Sequence, residues 1–362
     1  MKKSFPLYYK KFTCIADKCS DTCCAGWEIV VDGESIDKYN NMKSPYGSKI
    51  RNLITVDCDG DSVFKSCNGR CPFLLENGLC EMYKEIGHEN LCRTCRNFPR
   101  FVNSFGARIE TGISISCPEA ARLVFESSDP VTFVTEDTEG EIIPSDFDAE
   151  LYFMLLTVRK KAIDILQQRN FSIERRLCAF LEFSEVIQQC IKYNDFEKAK
   201  SVDADAFLSI KHGYSALKSK RSLNKFFSDF GLLEFINSDF SSKLKAAETV
   251  DISTFYVPDW EYEHLIIYFV FRYFITAAFD GDLLTKVKFA AVSYIVIKRL
   301  HAALNCTTKQ QRTEAAQKYS KEIEHSANNM DFLFTSMKKS RYYSAQNLIN
   351  ILSEKEIKHE IS

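Results

Sequence analysis

Residues 67–100 read CNGRCPFLLENGLCEMYKEIGHENLCRTCRNFPR, with thiols at Cys67, Cys71, Cys80, Cys92 and Cys95. An earlier run, residues 14–27, reads CIADKCSDTCCAGW and carries Cys14, Cys19, Cys23 and Cys24. Thiols two to four residues apart converge when a tight turn brings their sulfurs together, and two distant knots share a centre once the chain folds back. The spacing predicts an irregular, cysteine-rich metal module over residues 1–117.

Working outward, the chain has 362 residues and 14 cysteines, of which only Cys178, Cys190 and Cys306 lie beyond Cys117. Those three sit in helical-looking sequence and read as small buried hydrophobes. A hydrophobic fraction of 45% with 27% charged residues suits a folded chain, and a net charge of -2 gives no basic face for a nucleic acid. Near the start, Lys10 and Lys11 interrupt any export-signal run. The most apolar stretch, LIIYFVFRYFITAAF at 265–279, has Arg272 at its middle. It is shorter than the ~20 residues a spanning helix needs. The expectation is a cytoplasmic protein with reduced thiols, no membrane association and no nucleic-acid partner.

Three chemistries compete for the sulfurs. A disulfide framework suits small exported domains and fits poorly here. A structural zinc site is the second, and an iron–sulfur centre the third. Iron is favoured because the cysteines exceed the needs of one four-thiolate zinc site and only His88 accompanies them. Cys71 and Cys117 are each followed by proline, as is the last cysteine of the bacterial ferredoxin run. Trp27, Phe73, Leu74, Leu79, Leu91, Phe98 and Phe101 are available for an apolar shell. In extended backbone Cys23 and Cys24 point to opposite sides, so that one ligates while the other packs. Cys58 and Cys67 lie in a polar stretch and look weakest.

Residues 118–150 read as a polar connector, in which Val131–Thr135 and Glu141–Ile143 are expected to pair as a small hairpin. From residue 151 the pattern turns helical: Leu151, Leu155, Val158, Ala162 and Ile165 recur three or four apart. Further amphipathic runs fall near 173–193, 196–219, 222–247, 262–279, 283–304, 309–328 and 341–352, with Asp280-Gly281-Asp282 as a helix–helix turn. The predicted fold class is mainly α, a cysteine module followed by an all-α domain over 151–362. His212, His264, His301 and His325 show no ligand spacing and read as surface or satisfied histidines.

The order Cys14-x4-Cys19-x3-Cys23-Cys24-Ala25-Gly26-Trp27, then Cys71-Pro72-Phe73-Leu74, Leu79-Cys80 and Leu91-Cys92-x2-Cys95-Arg96-x-Phe98-Pro99-Arg100, resembles the bacterial flagellin lysine-N-methylase family. It is also similar to small zinc- or iron-chelating modules with a Cys–Cys pair. The likeness in motif covers residues 7–117, and the cysteine-poor helical remainder extends it loosely. The resemblance implies methylation of lysine ε-amines on flagellin, S-adenosylmethionine as donor and a [4Fe–4S] cluster. Carried over by position, Cys14, Cys19, Cys23, Cys24, Cys71, Cys80, Cys92 and Cys95 are the metal-site residues.

The usual signatures of such chemistry are absent. No Gly-x-Gly-x-x-Gly turn follows a strand, and at the third position of a Cys-x3-Cys-x2-Cys triplet stand Gly26 and Leu74. Arginine suits the donor's carboxylate, which makes Arg93, Arg96 and Arg100 the donor-binding candidates. Glu81 and Glu85 are weaker candidates for proton transfer, and no catalytic residue is assigned. The rival functions are a non-catalytic zinc- or iron-binding adaptor and an iron–sulfur electron-transfer protein.

Overall fold

The N-terminal residues, far from being a tail, form a strand that draws the first third of the chain into one sheet. Strand β1 (Lys2–Pro6) runs parallel to a later strand and antiparallel to the connector. The computed structural model describes residues 1–57, 60–67, 69–140, 142 and 145–354. Within them a two-stranded hairpin is formed by β2 (Ile54–Val56) and β3 (Ser62–Phe64). The larger sheet has the order β4-β5-β1-β6, with β4 at Arg100–Phe105, β5 at Arg108–Ile113 and β6 at Phe133–Asp137. The strand expected at Val131–Thr135 lies two residues later, at Phe133–Asp137, and its partner is β1. Glu141 and Ile143, from the other arm of the expected hairpin, lie outside the described residues.

The module between these strands is short-pieced. Helices α1 (Gly33–Asn41) and α2 (Pro45–Asn52) begin at Asp32 and Ser44, whose side chains accept from first-turn amides. Helices α3 (Glu81–Ile86) and α4 (Arg93–Asn97) follow, then α5 (Pro118–Val124). Ile29, Tyr39, Ile50, Phe64, Phe73 and Leu91 make a small core of their own.

The helical part comprises α6 (Ala149–Leu166), α7 (Ile173–Lys192), α8 (Phe196–Ser201), α9 (Ala216–Phe230), α10 (Ser238–Thr249), α11 (Asp259–Tyr273), α12 (Ala277–Asp280), α13 (Leu283–Ala303), α14 (Lys309–Ile323), α15 (Ala327–Lys339) and α16 (Ala345–Leu352). The runs expected at 196–219 and 222–247 are each broken: residues between α8 and α9, and between α9 and α10, leave the helix. Helix α15 was not foreseen, and Ser326 starts it by accepting from the Asn329 amide. The Asp280–Asp282 turn is as expected. Gly281 takes φ +68° and closes α12, and Asp282 caps α13 by accepting from the Thr285 amide.

Helix α13 is buried on almost every side, although Lys286, Lys288, Lys298, Arg299 and His301 lie on it. Its polar side chains consequently all need partners. Arg299 donates to the carbonyls of Ala247 (2.8 Å), Glu248 (2.8 Å) and Val250 (3.0 Å), closing the C-terminal end of α10 with a positive charge. Lys298 pairs with Glu174 of α7 and donates to Tyr294 at 2.8 Å. The sheet joins this same large core: Phe105 of β4 stacks on Tyr152 of α6 with ring centres 4.5 Å apart, and the buried Glu110 of β5 holds Arg159 of α6. Among the described residues, no helix is long and apolar enough to cross a membrane.

His301 yields a pH prediction. Its Nε2 faces the Arg312 carbonyl at 3.0 Å and its Nδ1 faces the Tyr262 hydroxyl at 3.2 Å, so a neutral ring donates to one and accepts from the other. Burial is the main cause that depresses its pKa to about 3. Below the unfolded value of about 6.5 the unfolded chain therefore binds a proton that the native His301 refuses. Stability from this group is complete above about pH 6.5 and falls by ~1.4 kcal/mol per unit on acidification towards the folded pKa. Urea midpoints at pH 7 and pH 5 should show a smaller acid loss in His301→Phe than in the parent; equal losses would refute this.

Candidate metal centre and domain junction

The two cysteine knots meet through backbone. The Cys71 amide donates to the Cys24 carbonyl at 2.8 Å, and the Gly26 amide to the Gly69 carbonyl at 2.8 Å. Ala25 and Arg70 form an antiparallel bridge between the same segments. Asp32, the α1 cap, also accepts from the Arg93 amide at 2.7 Å and so fastens the start of α4 to the start of α1. All cysteines among the described residues are free thiols. Cys58 lies outside those residues.

Sulfur from both knots comes into contact. Cys23 and Cys24 occupy a turn and their sulfurs stand 4.0 Å apart, which corrects the extended-backbone expectation of opposite sides. The Cys24 thiol is hydrogen-bonded to Cys23 and to Cys80, which raises Cys24 far above its ordinary value. The same bond to Cys24 lowers Cys80. Cys95 is raised by its hydrogen bond to Cys92, and Cys92 is lowered by it. Burial pushes Cys71 up to about 11, with Cys80, Cys92 and Cys23 in electrostatic reach. Cys71, Cys80 and Cys95 pack against the same small core that contains Cys92.

The remaining candidates, Cys14 and Cys19, form a second group beside Cys23, and Cys67 stands outside both. Cys19 is half-buried, within reach of Cys14 and Cys23, while Cys14 and Cys67 are exposed. Cys117, which the sequence ranks as intermediate and leaves out of the metal-site set, belongs here: burial raises it to about 12, and Cys19 and Cys23 lie near. Its place at the end of the crowded set and the following Pro118 were the clues to it in the sequence. Among the described residues no group of three or more His, Cys, Asp or Glu side chains is placed so as to hold a metal ion. The thiols are gathered as a Cys23–Cys24–Cys80 chain and a Cys92–Cys95 pair, with Cys71 near both, and not around one point.

The arginine candidates take different partners. Arg93 is exposed and 3.8 Å from Glu34, Arg96 donates to the Glu89 carbonyl at 3.3 Å, and Arg100 lies 5.1 Å over the Phe12 ring. Glu81 is paired with Lys49 at 2.6 Å, and Glu85 is exposed.

Sequence reasoning missed the junction where this module meets α11 and α14. Trp27 stacks on His325 with ring centres 4.9 Å apart, and Phe98 lies 5.8 Å from the same imidazole. His325 Nε2 is 2.7 Å from the Ser116 hydroxyl and 3.2 Å from that of Ser114. Arg272, central in the apolar run, donates to Ser114 (2.9 Å) and Tyr268 (2.6 Å) and pairs with Glu324 at 3.2 Å. Tyr268 and Tyr273 both donate to Glu324, at 3.0 and 2.7 Å. Burial is the leading cause that keeps His325 neutral, with a pKa of about 3, and the charges of Arg272 and Lys321 act in the same direction. Such a network is satisfied only when both parts are docked.

Gly26 sets the approach of the two parts. Its φ is +101°, and a Cβ there would stand 2.5 Å from Cγ2 of Ile236. Gly26→Ala should lower stability by about 1–3 kcal/mol through backbone strain and this clash. A thermal midpoint equal to that of the parent would contradict it.

Residues 159–351 match the FliB lysine N-methylase C-terminal domain. Lysine-N-methylase of Salmonella typhimurium is 26% identical over 204 residues, covering 52% of this chain and 48% of that protein. Flagellar biosynthetic protein FliU of Salmonella muenchen is 31% identical over 130 residues, covering 34% of this chain and 77% of that protein. The chain spans about half the length of the lysine-N-methylases it matches. No solved structure matches it. With more than half of its residues, from α6 through α16, falling within that one domain, the chain belongs to the FliB lysine N-methylase family.

Proposed function

We propose that the protein is an S-adenosylmethionine-dependent lysine N-methyltransferase that acts on flagellin in the cytoplasm and carries a [4Fe–4S] cluster on its N-terminal cysteines. The observation that carries the reading is the match of residues 159–351 to the FliB lysine N-methylase domain. The name of the FliU relative supports a flagellar substrate. The cluster is supported by the chemistry of the donor set: free thiols from two knots, four of them (Cys71, Cys80, Cys92 and Cys95) at one apolar core. Those four would hold it, with Cys23 and Cys24 adjoining.

S-adenosylmethionine, when bound, supplies an electrophilic methyl group. The protein's own task is to present a lysine as the neutral amine, against an ordinary pKa of about 10.4. Apolar burial does this by penalising the ammonium form, and a nearby carboxylate or tyrosine takes the proton. Arg93, Arg96 and Arg100 remain the proposed holders of the donor carboxylate.

A second reading is a non-catalytic zinc-binding adaptor, favoured by the fact that four thiols at one core also satisfy tetrahedral zinc. The decisive experiment incubates anaerobically purified protein with flagellin and isotopically labelled methyl donor. Mass spectrometry should find methyl groups on lysines. A colourless, zinc-only protein that transfers nothing favours the adaptor. No transfer by an iron- and sulfide-loaded protein removes the methylase reading.

A further inference from the structure

Gln317 and Lys321 on α14, and His325 just beyond it, recur four residues apart and so lie along one face. That face meets the loop carrying Cys23 and Cys24. Lys321 Nζ donates to Asp21 Oδ1 at 2.8 Å and to the Thr22 carbonyl at 3.1 Å, and lies 5.3 Å over the Trp27 ring. Gln317 donates to Asp21 Oδ2 at 3.0 Å and to the Ser116 carbonyl at 2.7 Å. The Lys321 side chain is only 7% exposed, and its charge is within electrostatic reach of the Cys23 sulfur.

Burying an ammonium is costly unless it is paired and hydrogen-bonded. Here the partners are an acid and a carbonyl of the very turn that precedes Cys23. A centre ligated by several thiolates carries net negative charge, and nearby charge and hydrogen bonds set its potential. A lysine from the helical domain is therefore placed to act on a centre whose sulfurs all come from the other part of the chain.

We propose that Lys321 is a positioning residue for the cysteine centre: it clamps the Asp21–Thr22 turn so that Cys23 and Cys24 are presented to Cys71 and Cys80, and it sets a buried positive charge beside them. The charge component rests on the cluster reading made above, whereas the clamp does not. Helix α14 thus contributes to a metal centre for which it supplies no ligand.

The test compares the full chain with Lys321→Met, which keeps the unbranched apolar stem and loses the charged end, and Lys321→Arg, which keeps charge. Each is reconstituted anaerobically with iron and sulfide, and three quantities are read: iron and acid-labile sulfide per chain, midpoint potential, and amide hydrogen exchange. Lys321→Met should show a more negative midpoint and exchange on the order of tenfold faster at residues 20–27, with α7 and α13 unchanged. Lys321→Arg should restore most of both. Parent-like exchange in Lys321→Met overturns the clamp, and an unshifted midpoint in a cluster-loaded variant overturns the charge component. If the parent itself takes up no iron or sulfide, the cluster reading falls together with the charge component. Exchange in the metal-free proteins then decides the clamp alone.

Discussion

Cys92→Ser is expected to abolish cluster binding and methyl transfer together, with transfer falling by a factor well beyond the 10–100-fold typical of losing a group that merely supports a metal ligand. Cys92 is fully buried among Phe73, Met82 and Leu91, and it accepts a hydrogen bond from Cys95 while lying in reach of Cys71. Serine is nearly isosteric and keeps the packing, but its hydroxyl does not ionise to a soft ligand for iron. Cys306→Ser, at a buried thiol in the helical part, is the matched control and should keep both properties. Iron and sulfide analysis, the methylation assay and a circular dichroism spectrum should be run side by side. Retained methylation without the cluster would make the metal merely structural.

The second large effect concerns stability. Glu263 of α11 is completely buried and receives the Arg169 fork at 2.9 and 2.7 Å and Arg176 Nη1 at 2.7 Å. Arg176 is 1% exposed, so it cannot recover water when its carboxylate is removed. What remains to it is the Leu166 carbonyl at 2.7 Å, which carries no full charge, and the Asp259 carboxylate at 3.5 Å. Glu263→Ala should therefore cost about 3–5 kcal/mol, the usual penalty for stranding a buried charge. That is a large part of the ~5–15 kcal/mol that holds a domain folded. The urea midpoint should drop accordingly, whereas a loss below about 1 kcal/mol would show that Arg176 finds new partners.

These two cases mark different degrees of legibility. The sulfur knots were readable because ligands close in sequence are constrained by local geometry, and the two knots did come together. The helical character after residue 150 was readable from periodicity, and Asp280-Gly281-Asp282 from turn chemistry, since glycine takes φ +68° without penalty. Helix ends were not readable where polar stretches interrupt the runs, as between α8 and α10. The side on which Cys24 lies was misjudged because a turn, not extended backbone, carries it.

The sequence by itself determined the class of the fold, the module that bears the thiols and the family resemblance, because these depend on spacing and periodicity within a few turns of chain. Only the tertiary structure decided that β1 pairs with strands more than a hundred residues away, that Cys117 joins the thiols, and that Lys321 and His325 serve the junction. The physical reason is that charge pairing, ring stacking and burial are properties of neighbours in space. A histidine with no ligand spacing and a lysine on a polar helix acquire their roles only when the knot packs against them.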